Sequence, residues 1–218
     1  MKRHPVQRVA KVLLDRVGAA VGLVVFSPLL LAIALAVLVD SGRPVVFVSP
    51  RAGRDGRRFG MLKFRTMVPD AIRVGRTLRL SEDPFGIVKH DPRVTRVGRW
   101  LRRTGLDESP QLVNVLLGRM SLVGPRADLV EQAERYGEKE RRRLSVLPGI
   151  TGWAQIHGRD SVPWKERFER DLWYIDNWSL WLDVKILVRT VPEVFRAEPD
   201  PVVDTLNIER AKKRAPSP

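Results

Sequence analysis

The chain has no cysteine. Disulfides and thiolate metal sites are therefore excluded, a composition that suits a reducing cytoplasm, and any metal must be held by oxygen or imidazole. It also lacks a dinucleotide fingerprint, strand-helix alternation and any internal repeat, so a Rossmann-type sheet is not expected. Negative charge is the scarce sign: 25 Asp and Glu stand against 39 Lys and Arg, a formal net charge of +14. Such an excess calls for an anionic partner, either nucleic acid or the acidic headgroups of a bilayer. No nucleic-acid-binding module is recognisable, and basic residues are not interleaved with stacking aromatics on a predicted sheet. The expectation is no nucleic-acid partner.

What the chain does have is an uncharged run from Val17 to Val39, broken near its middle by Ser27-Pro28. As one helix it would reach about 34 Å, enough to cross a hydrocarbon core of about 30 Å. Two features argue against a simple crossing. Pro28 removes a backbone donor and clashes with the preceding turn, which predicts two half-helices meeting at a bend, each too short to span. The flanks are also basic on both sides, with Lys2, Arg3, Arg8, Lys11 and Arg16 before the run and Arg43, Arg51, Arg54 and Lys63 among those after it. Cytoplasmic loops are the ones enriched in Lys and Arg. A hairpin that enters one leaflet and returns keeps both sets on the cytoplasmic side, whereas the alternative, a kinked span, puts one set across the membrane. In a bent helix the carbonyl near position 24 needs a new partner, which the Ser27 hydroxyl or packed protein can supply. A cleaved signal peptide fits poorly, since the run is too long for an h-region and Val39-Asp40-Ser41-Gly42 offers no Ala-x-Ala site.

The remaining residues are numerous enough to bury a core. Residues 2 to 16 form a basic amphipathic lead-in with Val9, Val12 and Leu13 at helical spacing. Residues 45–48 and 59–64 read as the strands of a β-hairpin. Residues 68–94 read as a loop with short helical pieces, and helices follow at 96–104, 109–117, 127–145, 163–177 and 180–196. Three regions result: an N-terminal amphipathic and membrane helix at 1–40, a cytoplasmic domain at 41–197, and a Pro-rich basic tail at 198–218. The fold class is α+β, mostly helical. Trp164, Phe168 and Leu172, with Trp173, Trp178 and Trp181 close by and Lys165, Arg167 and Arg170 on other faces, fit either interfacial helices or core filling.

The densest polar stretch runs Arg99-x-x-Arg102-Arg103-Thr104-Gly105-Leu106-Asp107-Glu108-Ser109-Pro110-Gln111. Taken alone, Asp107 and Glu108 could be a cap on a proline-initiated helix. Set among arginines and followed by Gly124-Pro125-Arg126, the pair suits a different task. Paired carboxylates bind a hard divalent cation such as Mg²⁺, and arginines clamp phosphates bidentately. That is the equipment of phosphoryl transfer, in which an ionised aspartate can also act as the nucleophile.

From Lys11 to about Thr190 the chain resembles the monotopic phosphoglycosyl transferases, the bacterial sugar transferase family. The matching stretches are Lys11-x-x-x-Asp15, Ser27-Pro28, Gly53-x-x-Gly56-x-x-Phe59, Lys63-Phe64-Arg65-Thr66-Met67 and Asp91-Pro92-Arg93-Val94-Thr95. They continue through Leu106-Asp107-Glu108-x-Pro110-Gln111, Met120 to Arg126, and Pro148 to Gln155. The resemblance implies transfer of a sugar-1-phosphate from a UDP-sugar to a polyprenol (undecaprenyl) phosphate with release of UMP. It makes Asp107 the nucleophile and implies Mg²⁺, with Mn²⁺ as a substitute, held by Asp107 and Glu108. Glu108 would take a proton or position the acceptor. Lys63, Arg65, Arg102 and Arg126 would contact phosphates, and Gln111, Gln155 and Arg159 would contact substrate. Ser27 and Pro28 would be the hinge of a re-entrant helix. It further implies a bacterial inner membrane location with the catalytic domain on the cytoplasmic face, membrane lipids as partners, and the small, minimal form of the family. The oligomeric state stays open, a homodimer included, as do the sugar and the glycan pathway.

The chain departs from the family pattern at Ala127, where Pro-Arg-Pro is common, at Ser109, where Leu is common, and at His157, where Asn is usual. His157 invites a metal or base role, but a substitution that tunes the sugar-nucleotide pocket is favoured. Two rival functions remain, a non-catalytic basic membrane scaffold and a nucleic-acid-binding membrane protein. A scaffold has no need of both Asp107 and Glu108.

Overall fold

The computed structural model describes residues 5–77, 91–158 and 163–195. Arg159 and the 198–218 tail lie outside the described residues. Helix α1 covers Pro5–Ser41 and rises about 55 Å at 1.5 Å per residue. Helical structure is unbroken through Pro28, where a helix-break-helix was expected. The reason is local: the Val24 carbonyl, deprived of its donor by Pro28, accepts from the Ser27 hydroxyl at 2.8 Å, so the lost bond does not end the helix.

Two stripes of α1 are packed against the rest of the chain. Before Pro28, Asp15 and Ala19 are buried, and after it Ile33 and Val37 are. These positions recur at three or four residues, the period of one helix face. Lys11 donates to Asp183 at 2.7 Å and to the Val123 carbonyl at 3.1 Å. Asp15 accepts from the Ser121 hydroxyl at 2.7 Å and the Leu122 amide at 3.1 Å. Near the other end, Asp40 accepts from the Val97 amide at 3.0 Å. Both ends of the helix are thus fastened to the same body. Between the stripes, Val24, Val25, Phe26, Ser27, Pro28 and Leu29 are all exposed, so every face of the helix is uncovered there.

Strands β1 (Val46–Ala52) and β2 (Arg58–Phe64) form the expected antiparallel hairpin, with Phe47 opposite Lys63 and Arg51 opposite Phe59. After α2 (Ala71–Thr77) comes α3 (Arg96–Thr104), opened by the Thr95 hydroxyl on the Gly98 amide at 3.0 Å. Helix α4 spans Gln111–Leu116. A short parallel pair, β3 (Ser121–Val123) and β4 (Gly149–Thr151), follows. The helix expected at 127–145 is instead α5 (Val130–Glu134), α6 (Glu138–Arg141) and a 3-10 turn, interrupted at Gly137. Helices α7 (Trp164–Asp176) and α8 (Leu180–Phe195) complete the described chain.

The core is a set of small clusters, two of which take residues from α1. Ala19 packs with Met61, Val115, Met120 and Ala127, and Ile33 and Val37 pack with Phe64 and Leu101. A third cluster joins Val123 to Leu172, Tyr174, Ile175, Trp178, Leu182 and Ile186. The aromatics therefore divide: Leu172 and Trp178 fill this core, while Trp173 and Trp181 are exposed. On the outer face of α8, Trp181 is followed by exposed Val184 and Val188 at helical spacing.

Candidate active site

Gly98 starts the construction of the site. A Cβ on it would lie 2.2 Å from the Thr66 carbonyl oxygen, so only glycine lets α3 rest on the backbone that follows β2. This contact brings Arg102 to Thr66, whose hydroxyl accepts from its Nε at 2.9 Å. Helix α3 ends at Gly105, whose φ of 70° is the left-handed turn that glycine adopts without a Cβ clash. The chain then makes a single 3-10 turn, Leu106–Glu108, before Pro110 opens α4.

Asn114, fully buried on α4, clamps the hairpin to this turn. Its Oδ1 accepts from the Leu62 amide at 2.9 Å and its Nδ2 donates to the Gly60 carbonyl at 2.8 Å. The next residue of β2 is Lys63, and its ammonium reaches Glu108 Oε1 at 2.7 Å. Arg126 meets the same carboxylate with two nitrogens, at 2.6 and 3.1 Å. Burial works to raise the Glu108 pKa, but Arg126 and Lys63 outweigh it and hold the group well below the usual carboxylate range. Asp107 behaves oppositely. It is buried, it makes no hydrogen bond among the described residues, and burial together with the charge of Glu108 raises its pKa to about 6 against the pull of Lys63, Arg102 and Arg126.

Both carboxylates line a cleft of about 2010 Å³, as do Lys63, Arg102 and Arg126. Its apolar lining includes Phe26, Leu29 and Leu30 of α1 with Phe47 and Trp100. Trp164, Phe168, Asp171, Thr151 and Thr190 also line it. Arg65 also borders the cleft, yet its terminal nitrogens donate to the carbonyls of Ser41, Gly42 and Arg43 at 2.5 to 2.7 Å, at the C-terminus of α1. Gln155 borders it too, donating to the Ile150 carbonyl at 2.9 Å with its side-chain oxygen unpartnered. Gln111 is buried one turn beyond Asp107, has no partner for its amide nitrogen, and does not border the cleft. His157 stands against Trp153, with Nδ1 2.7 Å from its carbonyl and ring centroids 4.1 Å apart, and does not itself line the cleft, although Ile156 beside it does.

The Arg126 turn does not depend on a proline at 127. Pro125 O accepts from the Gly149 amide at 2.8 Å, Arg126 O from Arg143 Nη2 at 3.1 Å, and Asp128 O from the Ala52 amide at 3.0 Å. Arg143 is itself buried between Asp128 and Asp171, with Nε 2.9 Å from Asp171. These residues escaped the sequence reading. The available signal was Asp171, a charge on the same face of α7 as Phe168, Leu172 and Ile175, which predicts a buried ion pair.

A cation-clamped carboxylate lies beside an unbonded one in a cleft that α1 helps to line. The chain belongs to the bacterial sugar transferase family, whose model matches residues 6–197. It is 41% identical over 190 residues to the uncharacterized sugar transferase EpsL of Bacillus subtilis, covering 87% of this chain and 89% of that one. It is 44% identical over 199 residues to the UDP-glucose:undecaprenyl-phosphate glucose-1-phosphate transferase of Xanthomonas campestris, covering 86% of this chain and 39% of the other. The undecaprenyl-phosphate galactose phosphotransferase of Salmonella typhimurium is 41% identical over 192 residues, with 84% and 40% covered. The chain spans about two fifths of the length of most curated relatives it matches.

Proposed function

We propose that this chain moves a sugar-1-phosphate from a UDP-sugar to undecaprenyl or a similar polyprenol phosphate, releasing UMP, with Asp107 as the covalent nucleophile. The observation that carries this reading is the unequal pair: Glu108 saturated by two cations, Asp107 unbonded and facing the cleft. An Asp107 oxygen bonds to the phosphorus that bears the sugar, and the bond from that phosphorus to the UMP oxygen breaks, its electron pair leaving with UMP. The polyprenol phosphate oxygen then attacks the same phosphorus, and the carboxylate leaves. Lys63, Arg102 and Arg126 offset phosphate charge through both steps. Glu108, held ionised by its cations, is a poor base. It acts by holding Lys63 and Arg126 in place, and a phosphate acceptor brings no hydroxyl proton that must be removed.

The residues fit a divalent cation shared with substrate. Magnesium is commonly held by one or two carboxylates plus substrate phosphates, and Asp107 has unbonded oxygens while those of Glu108 are engaged. Among the described residues no cluster of three metal-ligating side chains exists, which suits such a shared ion. When bound, Mg²⁺ would supply charge compensation at the diphosphate.

The uncovered apolar turns at Val24 to Leu29, flanked by stretches fastened to one body, support a re-entrant helix hinged at Ser27 and Pro28, with the catalytic domain on the cytoplasmic face. A helix apolar on every face calls for lipid or protein around it. The outer face of α8 would rest in the headgroup region.

UMP release from a panel of UDP-sugars, with undecaprenyl phosphate and Mg²⁺, tests the reading. Turnover that needs the lipid and is lost in Asp107→Asn is expected. Turnover that survives Asp107→Asn overturns the covalent route, and a folded native chain silent across a full donor panel overturns the transferase itself.

A further inference from the structure

We propose that Arg51 is a further phosphate-binding residue of this cleft, contacting a substrate phosphate oxygen beside Arg126. The inference rests on the transferase reading above.

Strand geometry brings Arg51 to the site. Side chains two apart share a strand face, and directly paired residues of an antiparallel hairpin point the same way. Phe47, Ser49 and Arg51 therefore share a face with Lys63, which pairs with Phe47. Phe47, Ser49, Arg51 and Lys63 all border the cleft, whereas Val48 on the opposite face is exposed to the outside.

The guanidinium is fixed before any ligand arrives. Nε donates to the Ser49 hydroxyl at 3.2 Å and Nη1 to the Ala127 carbonyl at 3.3 Å. Nη2 has no hydrogen-bond partner among the described residues, and no carboxylate pairs with Arg51 there. Of the acids that attract it, Glu108 is committed to Lys63 and Arg126 and Asp128 to Arg143 and Tyr136, while Glu131 acts only from an exposed position without an ion pair to Arg51. Burial first, and then repulsion from Arg126, lower the Arg51 pKa. A half-buried cation that feels the charge of Arg126 and forms no ion pair of its own among the described residues has a nitrogen to spare for an anion. Arginine's planar fork suits phosphate oxygens in particular.

The phosphate could belong to the nucleotide diphosphate or to the polyprenol phosphate, and the experiment separates them. Full-length protein in nanodiscs, with Arg51→Gln and Arg51→Lys, is titrated with UDP by calorimetry, assayed for KM of UDP-sugar and of undecaprenyl phosphate, and melted. A charge-assisted bond of ordinary strength predicts an increase of about tenfold or more in one dissociation constant or KM for Arg51→Gln. A rise for UDP and UDP-sugar assigns the donor diphosphate, and a rise for undecaprenyl phosphate alone assigns the acceptor. Arg51→Lys keeps the charge without the fork, so it should fold if Arg51→Gln does not, and should restore part of the loss. Unchanged affinities and KM values, with only kcat and melting temperature lowered, would make Arg51 a staple for the Ala127 turn and overturn the inference. Arg51-dependent UDP binding by a native chain that does not turn over would sink the transfer reading and leave Arg51 standing. Native turnover untouched by either variant would do the reverse.

Discussion

Replacing Asp107, the proposed nucleophile, should make this protein more stable. Burial and the Glu108 charge raise Asp107 from 3.8 to about 6, and two pKa units at about 1.4 kcal/mol each mean that ionising it costs the fold about 3 kcal/mol. Below pH 3.8 the folded and unfolded chains both keep the proton and the group contributes nothing. Between 3.8 and about 6 the unfolded chain has lost the proton while the folded chain retains it, so stability falls as pH rises. Above about 6 the whole cost is present. Asp107→Asn carries no charge and escapes it. Urea unfolding followed by tryptophan fluorescence, in detergent with EDTA, should give the variant an advantage of about 3 kcal/mol near pH 8, shrinking to about 1 kcal/mol near pH 4.5. Added Mg²⁺ should narrow the gap at pH 8 by compensating the native carboxylate. Equal stability at pH 8, or an advantage that does not change with pH, would refute the reasoning that Asp107 is held at a cost for its chemistry. UMP release should vanish in the same variant, the familiar exchange of stability for function.

Lys11→Met should cost about 3–5 kcal/mol in the same unfolding assay, because it leaves Asp183 a largely buried charge without its cation; Lys11→Met with Asp183→Leu should recover much of that loss. Gly98→Ala should lower stability by about 2 kcal/mol or more and reduce turnover, since its Cβ meets backbone rather than a movable side chain; a variant with native melting temperature and rate would show that α3 can retreat from Thr66 freely.

Much of this architecture was legible wherever a local pattern decides structure. The span of α3 is as expected, because Thr95 and Gly105 mark its ends in the sequence as a cap and a left-handed stop. The hairpin, α7 and α8 likewise fall within a few residues of their expected limits. Where tertiary contacts decide, reading failed. Three-residue strands β3 and β4 carry no periodicity, and they exist because Gly124 and Gly149 let two backbones meet. The 127–145 segment is helical by composition, yet residues 127–129 are drawn to the end of β1, where Arg51 bridges Leu129. Pro28 was expected to split α1 into two half-helices at a bend, and the Ser27 hydroxyl, anticipated as a partner for the freed carbonyl, keeps the helix continuous. At the site, Asp107, Glu108, Lys63 and Arg126 meet as their motifs suggest, but Arg65 is turned toward α1, and the place of Arg51 in the cleft lay hidden among many arginines of similar appearance.

Helix α1 does more than hold the chain in place. Phe26, Leu29 and Leu30 belong to the same cleft as Asp107, and Ala19, Ile33 and Val37 are constituents of two core clusters. Anchor and reaction vessel are one object. A water-soluble enzyme cannot be made by trimming the chain to residue 42, because the cut would open the cleft on one side and uncover Leu101, Phe64 and Met61 together. No described residue before Phe26 lines the cleft, so it is the stretch from Phe26 onward that shapes its space.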